Sequence, residues 1–204
     1  MGGSTDLKVA RTRQAIFAAV EQLVNSGNTA VTVSDIVRSA QISRSAFYTH
    51  FAGIDELAIA LLSGAFSEIG DSDLELRRAA SIPGIDAARI AVSRLVDHMV
   101  RYRSLYIAVL GLPQSSSAYD RAVAEFALHV RETSVLVSGI PADVNVDDAA
   151  HFVASGSFAL MMRWLRSEHA PATEEMERRL VALMPNWLIS PDPLGAITPP
   201  HFAT

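Results

Sequence analysis

Two helix-start signals stand eleven residues apart near the beginning of this chain, at Thr32 and Ser43, and together they constrain the fold more than any other feature. In VTVSDIVRSA, Thr32 can cap a helix, Asp35 follows three residues later as in a capping box, and Val31 can staple to Ile36. In ISRSAFYTHF, Ser43 can cap again and Ile42 can staple to Phe47. Only Gln41 and Ile42 are left for a turn between them. The spacing therefore predicts two short helices joined tightly, the first burying Ile36, Val37 and Ala40. Neither is long enough to be stable alone, so both must lean on a neighbour. That neighbour lies upstream, where Ile16, Phe17, Val20, Leu23 and Val24 recur at helical spacing and NSGN supplies a stop through Gly27.

Downstream the periodicity stays helical. A long pattern runs from Ile54 to about Arg78 through Leu57, Leu61, Leu62, Ala65, Phe66 and Ile69, and SIPGID breaks it. Further helices are expected at roughly 86–110, 116–137, 143–169 and 173–189, separated by GLPQSSS, SGIPAD and APAT. No stretch alternates apolar and polar residues between turn signals, so the expected fold class is all-α. The ending, ISPDPLGAITPPHFAT, is rich in proline and is expected to be extended or disordered. The expected organisation is a helix-turn-helix head over residues 1–52, a helical body over 53–190 entered through the Ile54–Arg78 helix, and a proline-rich tail over 191–204.

Half of the 204 residues are apolar, enough for a sizeable core. The absence of cysteine excludes disulfides and thiolate metal sites and favours a reducing compartment. The start, MGGSTDLKVARTRQ, lacks the apolar run of a signal peptide, and no later run reaches bilayer-spanning length, so a cytoplasmic protein without a membrane partner is expected. A net charge of -5 argues against a general nucleic-acid binder, which needs cations to displace phosphate counterions. The charge is uneven, however: residues 1–52 sum to +2 and the remainder to -7, the asymmetry expected if only the head meets an anion.

Winding residues 43–51 at the helical pitch puts Ala46, Phe47, His50 and Phe51 on one side and Ser45, Tyr48 and Thr49 on the other, with Arg44 at the flank. The apolar side can pack on Ile16, Val20, Ile36 and Val37. The opposite side then presents hydroxyls, a guanidinium and a phenol, which is how a recognition helix reads a major groove. Thr32 and Ser43, at two helix N-termini, can each hold a phosphate oxygen. Arg44 can reach a guanine edge or a phosphate, Ser45 and Ala46 are short enough to let the helix approach the bases, and Tyr48 can meet a phosphate or a thymine methyl. Thr49 adds a hydroxyl, and His50 could donate to a phosphate from the boundary. An αα-hairpin with no DNA role is the alternative, in which His50 is a half-buried histidine bonded within the protein and Tyr48 an ordinary surface tyrosine.

The run VTVSDIVRSAQISRSAFYTHFAGIDELAIALL closely resembles the N-terminal DNA-binding domain of the TetR/AcrR family of bacterial transcriptional regulators. The positions that carry the resemblance are Gly27, Thr32, Asp35, Ile36, Ala40, Ser43, Tyr48, His50, Phe51 and Leu57. Two residues depart from the family pattern. Gln41 stands where the family usually has a turn glycine, at a cost of about 1 kcal/mol if the left-handed geometry is kept. Ile54 stands where the family tends to carry a lysine, so one phosphate contact is expected to be missing. The resemblance implies a homodimer whose heads read the half-sites of a roughly palindromic double-stranded operator, and a helical body that binds a small effector. Both a repressor and a ligand-independent activator fit, as does an all-helical enzyme or binding protein whose head is only a packing unit.

For the dimer, the expected faces are Phe152, Val153, Gly156, Leu160 and Trp164 on one helix and Met176, Leu180, Leu183, Met184 and Trp187 on the next, forming a four-helix bundle between subunits. Closure of the monomer's own core is the alternative for the same residues. An effector cavity could be lined by His98, Met99, Tyr102, Tyr106, Phe126, His129, Phe158, Met161 and Met162, all of which could equally be plain core. A hydrophobic or aromatic effector suits that lining. Asp147, Asp148 and His151 read better as acids in the first turn of a helix than as metal ligands. Ser155 in ASGSF lacks the outer glycine of a nucleophile elbow, and glycine-rich phosphate loops are absent. No catalytic residue, metal site or cofactor is expected.

Overall fold

Thr32 and Ser43 both cap helices, as their spacing predicts. In the computed structural model, which describes residues 3–27, 31–79, 82–110, 116–135 and 140–189, the head consists of α1 (Gly3–Asn25), α2 (Val33–Ser39) and α3 (Arg44–His50). The Thr32 hydroxyl accepts from the Asp35 N–H at 3.3 Å, and the Asp35 carboxylate takes the Thr32 N–H at 3.2 Å, closing the capping box. The Ser43 hydroxyl accepts from the Ala46 N–H at 3.1 Å. Ile16, Val20, Ile36 and Phe47 are wholly buried, with Val31 and Phe51 beside them in the same cluster, so the two short helices are held by apolar packing on α1.

The turn keeps the left-handed geometry without a glycine. Gln41 has φ 54°, while the Ile42 N–H closes on the Val37 carbonyl at 3.0 Å. A left-handed L-residue costs about 1–2 kcal/mol, and the extra unfolded-state freedom of a glycine returns about 0.4–1 kcal/mol of that. Gln41→Gly is therefore expected to raise the urea midpoint modestly, by up to about 1 kcal/mol of stability. A lower midpoint would mean that the Gln41 side chain supplies a compensating interaction.

The body contains α4 (Ile54–Arg78), α5 (Gly84–Arg101), α6 (Arg103–Leu110), α7 (Ser116–Val135), α8 (Val146–Arg166), α9 (Thr173–Ala182) and the single turn α10 (Asn186–Ile189). Every regular element among the described residues is helical. The Glu56 carboxylate accepts from the Ala52 N–H at 2.5 Å and ties down the start of α4, where Gly53 has no side chain to cap with. Helix α4 packs between α5 and α7, α8 packs on α7, and α9 lies along α5. One buried cluster runs without interruption from Ile16 and Phe47, through Leu57, Leu62 and Phe66 of α4, to Met99, Phe158 and Leu180. Head and body thus share apolar packing.

Two expected helices are each broken. The 86–110 pattern divides at Tyr102, whose φ of -100° and ψ of 22° leave the helical region. There the Arg103 Nε donates to the Leu165 carbonyl at 2.6 Å, fixing the start of α6 against the last turn of α8. The 173–189 pattern divides before Pro185, which has no N–H to give and disfavours helical geometry at the residue before it. Helix α8 starts at Val146 rather than 143 because Asn145 takes the cap, accepting from the Asp147 and Asp148 N–H groups at 2.9 and 3.1 Å. The expected proline-rich tail lies outside the described residues.

Candidate nucleic-acid interface and effector cavity

Helix α3 is set by the burial of Phe47 and Phe51, which leaves Arg44, Ser45, Tyr48 and Thr49 exposed, with Ala46 and His50 half-buried at the edge. Tyr48 is 52% exposed, and its ring stands edge-on to Phe47 at 5.5 Å, so the phenol is steered outward from a fixed base. One Arg44 Nη2 donates to the Ser34 hydroxyl of α2 at 3.0 Å, orienting the guanidinium between the two helices. The sequence reading did not single out Ser34. Its signal is position alone, one residue into α2 from the capped end.

Several of the expected contact hydroxyls already have intramolecular partners. Thr32 donates to Asp35 Oδ2 at 2.6 Å, Thr49 donates to the Ser45 carbonyl at 2.9 Å, and the Ser43 and Ser45 hydroxyls bond each other at 2.9 Å. The Thr32 hydroxyl, above all, holds the Asp35 carboxyl below its ordinary range, with smaller help from the Thr32 N–H and Arg38, which is ion-paired to Asp35. Thr32 is thus committed to its box. Arg44 keeps further guanidinium donors beyond its bond to Ser34, and Tyr48 stands exposed. At the head's lower edge, the Arg13 guanidinium sits over the Phe51 ring at 4.7 Å and the Phe17 ring at 5.5 Å. Arg101 of α5 reaches Glu21 of α1 at 3.1 Å, a direct link between body and head.

In the body, a partly open cavity of about 90 Å³ lies among α4, α5 and α7, with Met184 and Leu188 also in its wall. Of the nine expected lining residues, Phe126 and His129 line it. Phe158, Met161 and Met162 are buried in the core on α8 instead. His98, Met99, Tyr102 and Tyr106 gather at the α5–α6 break, with Met99 and Tyr106 wholly buried. His98 Nε2 and the Tyr106 hydroxyl lie 2.6 Å apart. Burial, reinforced by Arg101, pushes the His98 imidazole down to about 4, and burial raises the Tyr106 phenol, so this pair is uncharged at neutral pH.

The cavity wall contains polar residues that sequence reading missed. Asp73 is only 6% exposed. Its Oδ2 accepts from Arg77 Nε at 2.8 Å and from Thr133 Oγ1 at 3.2 Å, while Arg77 Nη1 donates to the Leu188 carbonyl at 3.1 Å. The available signal was a mismatch: Asp73 and Arg77 continue the apolar stripe of Phe66, Ile69 and Gly70, where charges are not expected unless paired.

The residues expected at a dimer interface separate by face. Val153, Trp164, Met176 and Leu180 are buried within the chain, and the Trp164 indole N–H donates to the Pro171 carbonyl at 2.9 Å. Phe152 is 78% and Leu183 67% exposed, and Gly156 is exposed too, while Leu160, Met184 and Trp187 are half-buried. Asp147 is bonded to Arg131 at 2.5 Å, and His151 is exposed. No helix among the described residues is long and apolar enough to cross a membrane.

Residues 16–61 match the family model for bacterial regulatory proteins, tetR family. The HTH-type transcriptional regulator BetI of Rhizobium meliloti (strain 1021) is 27% identical over 153 residues, 74% of this chain and 74% of that protein. FadR of Thermus thermophilus, a TetR family transcriptional repressor solved in complex with lauroyl-CoA, superimposes with a TM-score of 0.61 at 18% identity, over 84% of this chain and 92% of its own. The fatty acid degradation regulator FadR of Bacillus halodurans gives 0.57 at 12% identity, over 85% and 94%. These two likenesses extend the shared fold from the head to the body. The family match spans α1 from Ile16, the capped α2, the turn at Gln41, α3 and the first turns of α4, so residues 16–61 are similar to the helix-turn-helix head of the tetR family of bacterial regulatory proteins.

Proposed function

We propose that this protein is a transcriptional regulator of the tetR family, a dimeric repressor that binds a palindromic operator through α3 of each head and is released by a small, mainly hydrophobic effector. The observation that carries the DNA part is the two-sidedness of α3: Phe47 and Phe51 anchor it, and Arg44 and Tyr48 stand exposed on the opposite face. Two-fold symmetry would place two such helices about 34–36 Å apart, one turn of duplex. The exposed Phe152, Gly156 and Leu183 offer apolar surface for the second copy, as the bundle reading of α8 and α9 requires. The apolar cavity supports a hydrophobic effector, and a neighbour of the same fold was solved with lauroyl-CoA. Chromosomal DNA as target places the protein in the cytoplasm.

Fluorescence anisotropy with DNA from the region upstream of its own gene tests the reading. A specific complex that weakens as salt rises is expected. Arg44→Ala and Tyr48→Ala should each weaken it about tenfold or more, since groove and phosphate contacts of this kind are worth about 1–3 kcal/mol. Their unfolding midpoints should not move. Unchanged DNA affinity in both variants would favour an all-helical binding protein or enzyme with a structural head. Lower expression of the adjacent gene on deletion of this one would favour an activator.

A further inference from the structure

Asp73 Oδ1 is a buried side-chain oxygen with no hydrogen-bond partner among the described residues, and Asp73 lines the body cavity. Its other oxygen already takes both Arg77 and Thr133. A buried acceptor without a donor is costly, so a ligand that supplies the donor gains an interaction the protein itself leaves unmade. Apart from His129, the remaining wall is apolar, with Phe66 and Phe126 stacked at 5.0 Å and Val92, Leu95 and Met184 around them.

The charge balance narrows the ligand. Asp73 and Arg77 neutralise each other at 2.8 Å. An ammonium would enter beside a guanidinium and a carboxylate beside a carboxylate, each losing its hydration in an apolar space. We propose that this cavity takes a small, uncharged, largely apolar molecule with one hydroxyl, an alcohol or a phenol, that donates to Asp73 Oδ1. This rests on reading the protein as an effector-released repressor and names the chemical class of the effector.

Size and connectivity fit a coupled entry. At about 90 Å³ the cavity is smaller than the roughly 150 Å³ enclosed space that holds benzene, but it is partly open, so a ring can enter with one edge toward the opening. One wall is formed by Met184, unbranched and adaptable, and by α10, a single turn held to α4 by the Arg77 bond to Leu188. Asp73 lies on α4, whose first turn is at the head ~28 Å away along the same axis. The Asp73–Arg77–Leu188 chain thus connects the loaded carboxylate to α10, and α4 connects it to the head.

Calorimetric titration of the full chain with 4-methylphenol, 1,4-dimethylbenzene, 4-methylbenzylamine and 4-methylbenzoate tests this. The phenol should bind at least about tenfold tighter than its methyl isostere, as expected for a hydrogen bond to a charged acceptor, and neither charged probe should match it. In the double variant D73L/R77M, apolar groups replace the whole pair and leave no unpaired charge, so the fold should persist and the phenol should lose its advantage. Ala91→Leu, which fills the cavity from α5 without touching the pair, should weaken both neutral probes about tenfold and reads the location independently. Equal binding of phenol and isostere, a preference that survives in D73L/R77M, a stronger charged probe, or no binding by any probe overturns the inference. DNA affinity without probes is read separately. Its absence defeats the repressor reading, whereas an intact complex with no hydroxyl preference defeats this inference alone.

Discussion

Phe47→Ala is expected to destabilise the protein by about 3–5 kcal/mol and to abolish specific DNA binding. Phe47 is wholly buried, and its ring meets Phe51 at 5.8 Å and Tyr48 at 5.5 Å. It shares one cluster with Ile16, Val20 and Ile36, the residues that hold α1 and α2. Truncation removes the transfer free energy of the ring and leaves a cavity that two short helices, closed by a strained turn at Gln41, are poorly placed to refill. The cluster continues into Leu57 and Leu62 of α4, so the damage should not stay within the head. Urea unfolding followed by circular dichroism measures it. Tyr48→Ala, one residue away on the exposed side, should stay within about 0.5 kcal/mol of the parent. Similar midpoints for Phe47→Ala and the parent protein would contradict the anchored face, and with it the orientation of Arg44 and Tyr48.

The contrast between neighbours 47 and 48 was legible in the sequence, because caps at Thr32 and Ser43 fix where each short helix begins and the helical pitch then assigns the faces. The body was less legible, for physical reasons. Periodicity shows which residues are buried but not which buried stripes meet imperfectly and leave a cavity. Phe126 and Phe158 carry the same signal, yet Phe126 lines the cavity and Phe158 lies packed in the core. On α8, Phe152 and Val153 are adjacent and both apolar, and a helix apolar on two faces gives no internal indication of which turns inward. The break at Tyr102 left no sequence signal because a tertiary bond, Arg103 to the Leu165 carbonyl, fixes the chain there rather than a proline or glycine. Pro185 was visible and was overrun by the apolar pattern on either side of it.

The break at Tyr102 also creates the second large effect, a loss of stability in mild acid. His98 is held against Tyr106 at 2.6 Å, and burial first, then Arg101, lowers its folded pKa from 6.5 to about 4. Above pH 6.5 the imidazole is neutral in both folded and unfolded chains and pH has no leverage. Between 6.5 and about 4 the unfolded chain takes up a proton that the folded chain refuses, so stability falls as pH falls. The full difference corresponds to about 3 kcal/mol, of which about 2 kcal/mol should be lost between pH 7 and pH 5. His98→Gln keeps a polar partner for the Tyr106 hydroxyl but cannot titrate, and its stability should be flatter than the parent's by that amount over the same range. Parallel pH curves for the two proteins would show that His98 is not the sensor. The location gives the effect a direction: Arg101, which helps to keep His98 neutral, also reaches across to Glu21 of α1. Protonation of His98 sets a second cation beside Arg101 at the contact between α5 and the head, so weakening in acid should begin where the body supports the DNA-binding helices.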